Sequence, residues 1–351
     1  MTQKVVMTLF RYPGIPSSEE AYHKLGAVFQ HIPCNSEEEI LAATRDCDVA
    51  ITALQPYTRR VIENMERCRL ICLIGIGYEG VDVPAATERG ILVANVPDYC
   101  QEEVANHAMA LVLACNRKLM PIIEAVRQGA WNSVEKPRIR HQIMPPLPRL
   151  SGQVLGIVGL GRIGQALVPR AKAFGLGIIG YDPYVSAAAM EEIGVEKVDM
   201  ETLLRESDYI SLHTALTPEN RRMLGKAELQ KMKPTSYVIN TARGGLIDEE
   251  ALVQAIKDGV LAGAALDVTD PEPPRPDSPL LKLDRVILTA HTAQYSNEAI
   301  IDLRRGVEEN VFSVLRDQMP PGLVNPQAKE GYRQRWPRLR TRPAPAPDTG
   351  V

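Results

Sequence analysis

Short apolar runs alternate with segments of helical periodicity from the first residues of this chain. Val5 to Leu9, Val49 to Ala53, Leu70 to Ile74 and Ile91 to Ala94 are brief and largely apolar, the mark of strands buried on both faces. Between them, Ser36 to Asp46 opens with the Ser-x-x-Glu pattern of a capping box, and Thr58 to Arg67 is a second helical candidate. Strand-helix alternation implies a parallel sheet with crossover helices. From Gln101 to Met120 the residues Val104, Ala108, Leu111, Val112 and Cys115 recur at helical spacing, predicting one long helix that ends near Pro121 and leaves the first lobe for a second. The second lobe has its own strand series: Val154 to Val158, Gly177 to Tyr181, Tyr209 to His213, Tyr237 to Asn240, Leu261 to Leu266 and Val286 to Thr289. Ala299 to Leu315 reads as a helix that returns to the first lobe.

The length of 351 residues suits two lobes with a cleft better than one core. Apolar residues at 45% and charged residues at 24% argue for a globular chain. A net charge of −3 is too balanced for a nucleic-acid surface. No apolar stretch approaches the length of a spanning helix and no signal-peptide core opens the chain, so no membrane association and a cytoplasmic location are expected. Cys34, Cys47, Cys68, Cys72, Cys100 and Cys115 lack metal spacing and are expected to be buried, reduced thiols; no metal site is expected. Residues 132 to 149 form an irregular, basic connection. The end of the chain, with Arg333, Arg335, Arg338, Arg340 and Arg342 ahead of a Pro-Ala repeat, reads as a disordered tail from 323 to 351.

Gly159, Gly161 and Gly164 form G-x-G-x-x-G directly after the strand Val154 to Val158 and at the head of a helical run, Arg162 to Phe174. A tight turn, close backbone approach and a helix N-terminus together make a pyrophosphate site. A second strand then ends in Asp182, placed to bind the adenosine ribose hydroxyls, and no Arg or Lys follows to accept a 2′-phosphate; NAD is therefore favoured over NADP. Arg162 and Ile163 in the same turn, and His213 at the end of its strand, join the cofactor-binding set.

Three polar residues follow strands of the second sheet: Arg243, Glu272 and His291. Ligands of open parallel sheets bind at the carboxyl ends of strands, so an anion binder, an acid and a proton carrier can share one crevice. These segments resemble the D-isomer-specific 2-hydroxyacid dehydrogenases over residues 1 to 320. They occur in family order: Gly-Ile-Gly-Tyr-Glu-Gly-Val-Asp at 75 to 82, Asn-Val-Pro-Asp-Tyr-Cys at 95 to 100 and Gly-Leu-Gly-Arg-Ile-Gly at 159 to 164. Asn-Thr-Ala-Arg-Gly-Gly-Leu-Ile-Asp at 240 to 248, Gly-Ala-Ala-Leu-Asp-Val at 263 to 268 and His-Thr-Ala-Gln-Tyr-Ser at 291 to 296 complete the series. Within the family, Tyr-Asp-Pro-Tyr and His-Thr-Ala-x-Tyr-Ser look most like the branch of the C-terminal-binding proteins and their bacterial relatives.

The resemblance implies an α/β fold of two doubly wound parallel-sheet lobes, with a Rossmann NAD-binding domain (101–291) inserted in a flavodoxin-like substrate-binding domain (1–100 and 292–322). It implies a homodimer acting on a small 2-oxo or 2-hydroxy acid. Arg243 would pair with the substrate carboxylate. Glu272 would hold the ring of His291 and favour its charged form, and His291 would protonate the carbonyl oxygen while NADH delivers hydride. Asp267 and the backbone near Thr241 and Ala242 would hold the carboxamide, and the amides of Ile76 and Gly77 would meet the substrate carboxylate. Leu54, Gln55 and Tyr57 either line the substrate side or only pack.

Two residues depart from the family pattern. Ala290 replaces a frequent Pro before the His, loosening that backbone, and Gln294 stands where the C-terminal-binding-protein branch typically has Trp, which points to small or polar substrates. Glu272 in place of Gln disfavours a formate-type reaction. The alternative to an enzyme is an NAD(H)-sensing scaffold whose catalysis is incidental.

Overall fold

The computed structural model describes residues 2–9, 19–132, 134, 139–144 and 147–337. The chain divides into two compact units, Met1–Tyr99 with Ser296–Val351 and Cys100–Tyr295. Each is built on its own parallel sheet.

Among the described residues the first unit has five strands: β1 (Gln3–Met7), β2 (Ala27–His31), β3 (Val49–Thr52), β4 (Leu70–Leu73) and β5 (Leu92–Ala94), in the order β2-β1-β3-β4-β5. The central β3 and β4 are buried at every position, as their apolar runs require. The edge strand β2 is fully buried only at Ala27, and its apolar run, Ala27 to Phe29, is too short to stand out as a strand buried on both faces. Ser36 caps the helix Glu37–Thr44, accepting from Glu39 N–H, while the Glu39 carboxylate accepts from Asn35 N–H at 2.6 Å, one residue earlier than a standard capping box. The helix Asn297–Leu315 turns Leu303, Val307, Val311 and Val314 onto β4.

From 324 to 337 the chain is not the tail its composition suggests. Asn325 accepts from Val93 N–H and donates to the Ile91 carbonyl, and Val324 N–H bonds Val93. A helix follows at Lys329–Arg335, with Tyr332 wholly buried. Arg69, its side chain only 7% exposed, donates to Asp317 and Tyr332 and lies against the rings of Tyr332 and Trp336. Two apolar-poor turns thus fold by serving a buried guanidinium. Residues 338–351 lie outside the described residues.

The described residues of the second unit form seven strands: β6 (Val154–Val158), β7 (Gly177–Tyr181), β8 (Glu196–Lys197), β9 (Tyr209–Leu212), β10 (Tyr237–Asn240), β11 (Gly263–Leu266) and β12 (Val286–Leu288). Their order is β12-β11-β10-β9-β6-β7-β8. The register pairs Tyr181, Val158, Leu212, Asn240, Leu266 and Leu288 across the sheet in one row. Asp182, Gly159, His213, Thr241, Asp267 and Thr289 therefore stand side by side on its carboxyl edge.

The expected helix from Gln101 to Met120 is two helices, Gln101–Asn116 and Leu119–Arg127. Lys118 has φ 50, a left-handed turn that stops the first, and Pro121 sits in the first turn of the second, where a missing N–H costs nothing. In the connection that follows, Ile139–Ile143 forms a π-helical turn, while residues 133, 135–138 and 145–146 lie outside the described residues. All six cysteines are buried and none forms a disulfide among the described residues, and burial pushes the thiols of Cys72 and Cys115 up to about 12. The described residues include no helix long and apolar enough to cross a membrane and no metal-ligand cluster.

Candidate active site

The three loop glycines do different work. Gly159 has φ +91 and lies against the His213 backbone, where a Cβ would come within 2.8 Å. Gly164 faces the Gly159 carbonyl at 2.2 Å from where a Cβ would stand, so only glycine lets the helix Arg162–Ala173 close on β6. Nothing lies within 4 Å of a Cβ placed on the exposed Gly161. That open approach at a helix start suits a pyrophosphate. Arg162 is exposed and Ile163 half-buried on the first turn.

Asp182, at the end of β7, accepts from Leu160 N–H at 2.9 Å and from Tyr184 N–H at 2.8 Å. The carboxylate is thereby locked to the glycine turn. Two further observations fit a dinucleotide along this edge. Thr241 Oγ1 is buried without a hydrogen-bond partner among the described residues. His213 Nε2 contacts Ser211 Oγ at 2.8 Å, and burial pushes its imidazole down to about 4, so it is neutral at pH 7.

Arg243, Glu272 and His291 follow the adjacent strands β10, β11 and β12. Buried Asn240 shapes the first loop, accepting from Ala242 N–H at 3.0 Å and donating to the Arg243 carbonyl at 2.8 Å. Arg243 is half-buried and its guanidinium donates to the Ala242 carbonyl at 2.7 Å. Gly244 meets the backbone of Thr269, pressing the arginine loop against the loop of Glu272. His291 Nδ1 and Glu272 Oε1 are 2.5 Å apart, with side chains 28% and 35% exposed.

Asp267, expected on the carboxamide, stands at the start of the loop that leads from β11. Its side chain is wholly buried; Oδ1 accepts from the Thr289 hydroxyl and Thr292 N–H, and Oδ2 from Ala293 N–H at 3.0 Å. An inaccessible carboxylate needs internal donors, and these tie down the loop around His291. The same bonds answer the expectation that Ala290 loosens this backbone: His291 N–H also bonds the Asp267 carbonyl at 2.8 Å. His291 sits at φ 53. Neither Asn240 nor this inner role of Asp267 had a sequence signal, because both arise from register between strands. Gln294 is half-buried in the same loop.

In the first unit, Ile76 and Gly77 occupy a half-buried turn after β4, where the Asn95 side chain donates to the Ile76 carbonyl at 2.6 Å. Gln55 and Tyr57 belong to packing: Gln55 bonds Thr8 and Cys34, and the Tyr57 ring is fully buried with its hydroxyl on Thr8. Leu54 is exposed. A cavity of about 610 Å³ opens at the opposite edge of the second unit's sheet, beside Gln153, Asp208, Tyr237 and Ala262, away from this chemistry.

The model of the D-isomer specific 2-hydroxyacid dehydrogenase NAD-binding domain matches residues 109–293. The chain belongs to that family. Its second unit is accordingly the family's NAD-binding domain, and this dehydrogenase is an NAD-dependent oxidoreductase acting on 2-hydroxy acids. A glyoxylate reductase of Korarchaeum cryptofilum is 40% identical over 83% of this chain and 86% of its own. A D-3-phosphoglycerate dehydrogenase of Methanocaldococcus jannaschii is 41% identical over 84% of this chain but only 56% of its own. Among solved structures, a glyoxylate reductase from Paecilomyes thermophila superimposes with TM-score 0.82 at 29% identity, covering 93% of this chain and 99% of that one. An Aquifex aeolicus D-lactate dehydrogenase, solved with NAD and lactic acid, gives 0.80 at 26% identity over 91% and 98%.

Proposed function

We propose that this dehydrogenase reduces a small or polar 2-oxo acid, of the glyoxylate or hydroxypyruvate kind, to the D-2-hydroxy acid with His291 as the proton donor. The observation that carries the assignment is the 2.5 Å contact between His291 Nδ1 and Glu272 Oε1. With Nδ1 committed to the carboxylate, Nε2 is the nitrogen available to a substrate. It gives its proton to the carbonyl oxygen in reduction and takes it back from the hydroxyl in oxidation. Glu272 holds the ring in one orientation.

Arg243 binds the substrate carboxylate and polarises the carbonyl, for which a planar, permanently charged group with several donors is suited. The N–H groups of Ile76 and Gly77 are assigned as further carboxylate donors. Gly159, Gly161, Gly164, Arg162, Ile163 and Asp182 hold the pyrophosphate and adenosine ribose, and His213, Thr241, Ala242 and the Asp267 loop face the remainder of the cofactor. The bound cofactor supplies or accepts hydride at the substrate carbon.

Substrate class rests on Gln294 and on the glyoxylate reductases among the relatives. An apolar side chain against the Gln294 amide leaves its donors unpaired, at about 1 to 3 kcal/mol. Specificity constants for NADH oxidation by glyoxylate, hydroxypyruvate, pyruvate and branched or thioether 2-oxo acids test this. The small and polar acids are expected to lead by tenfold or more, and Gln294→Trp to narrow that lead. A wild-type preference for the bulky apolar acids overturns the proposal.

A further inference from the structure

We propose that His107, on the helix Gln101–Asn116, is a positioning residue that acts through Thr289 and Asp267 to fix the loop carrying His291. The inference rests on the acid–base role assigned to His291.

The directions of the hydrogen bonds follow from the donors available. Asp267 is buried and only accepts. The Thr289 hydroxyl has one proton, and with its oxygen 2.5 Å from Asp267 Oδ1 that proton points at the carboxylate. His107 Nε2 lies 3.1 Å from the same hydroxyl oxygen, so the remaining bond runs from an Nε2–H to a lone pair. The His107 ring therefore carries its proton on Nε2. At 3.7 Å from Asp267 Oδ1 it is also the basic side chain within 4 Å of that carboxylate among the described residues.

What hangs on Asp267 is the backbone of the proposed proton donor. Three consecutive N–H groups, of His291, Thr292 and Ala293, end on the Asp267 carbonyl, Oδ1 and Oδ2. His291 itself holds φ 53, a left-handed conformation that a non-glycine residue keeps only where its surroundings impose it. Without the His107 donor, Thr289 loses the second partner that fixes its rotamer, and the carboxylate loses the alignment of its hydroxyl bond. The loop relaxes, and the His291 ring, tethered to Glu272 through Nδ1, moves off its working position. A displacement near 1 Å costs about a hundredfold in rate.

The test exploits side-chain length. His107→Gln puts an amide N–H where the histidine Nε2 stands, His107→Asn puts one only near the Nδ1 position, and His107→Ala supplies none. Steady-state kinetics with glyoxylate and NADH, with NADH binding by fluorescence, are compared for wild type, these three variants and Thr289→Val. His107→Ala and His107→Asn should lose roughly 10- to 100-fold in kcat with KM for glyoxylate and the NADH Kd within about threefold. His107→Gln should recover most of that loss, and the advantage of Gln over Asn should vanish in the Thr289→Val background. Wild-type kcat in His107→Ala, or equal activity of the Gln and Asn variants, overturns the proposal; should the Ala variant not fold, the Gln–Asn comparison still decides. His291→Ala separates the two levels. If it retains turnover, the acid–base assignment falls; if it loses turnover while His107→Ala and Thr289→Val do not, only the role of His107 falls.

Discussion

The tasks proposed for Arg243 and His291 differ, and kinetics should separate them. If the guanidinium has the proposed double role in carboxylate pairing and carbonyl polarisation, Arg243→Ala should raise KM and lower kcat. His291→Ala should lose mainly kcat, since proton transfer by a placed group is worth roughly a hundred- to ten-thousandfold. NADH binding should survive in both, measured by fluorescence; near-wild-type turnover in His291→Ala would falsify the assignment. His213 supports a prediction of another kind. Its imidazole is held neutral by burial, at about 4 against an ordinary value near 6.5. The unfolded chain therefore binds a proton there below about 6.5 that the folded chain refuses until about 4. Stability is lost as pH falls through that window, by at most about 3 kcal/mol. Urea midpoints from about pH 7 to 4.5 should drop more steeply for wild type than for His213→Asn, and parallel slopes would rule the effect out.

At the scale of elements, the helix Lys329–Arg335 is the clearest case of a segment whose composition misleads. Its sequence is basic and polar, yet it buries Tyr332, and with Trp336 just beyond its end it brings a hydroxyl and two rings to Arg69. Tyr332→Ala removes a fully buried aromatic, expected to cost about 3 to 5 kcal/mol. Removing residues 329–351 should cost at least as much, because Arg69 then keeps Asp317 and loses the rings that cover it. The urea midpoint and melting temperature report this directly, and variants as stable as wild type would show that the helix is not packed in solution. The split of the expected Gln101–Met120 helix has a comparable origin. Periodicity carries through Lys118 unbroken, and only the backbone dihedral at that residue ends the first helix.

At the scale of the molecule, the chain itself determined what depends on local pattern and on motifs with a fixed mechanical meaning. Continuous apolar runs specify strands buried on both faces, and alternation with helices specifies parallel sheets. Gly159 and Gly164 specify the dinucleotide turn because a left-handed φ and close backbone contacts exclude a side chain there, while Gly161 leaves the approach to the helix start open. Position after a strand is enough to nominate Arg243, Glu272 and His291. Tertiary structure alone decided which bonds serve them. Asp267 carries no sequence mark of the buried anchor of the His291 loop, nor His107 of the donor behind it. Residues 107, 267, 289 and 291 are joined only when a helix, β11 and β12 come into register. Composition misleads about residues 323 to 337 for the same reason. A basic, apolar-poor segment folds only if a buried charge elsewhere needs it, and Arg69 stands 263 residues from Tyr332 along the chain.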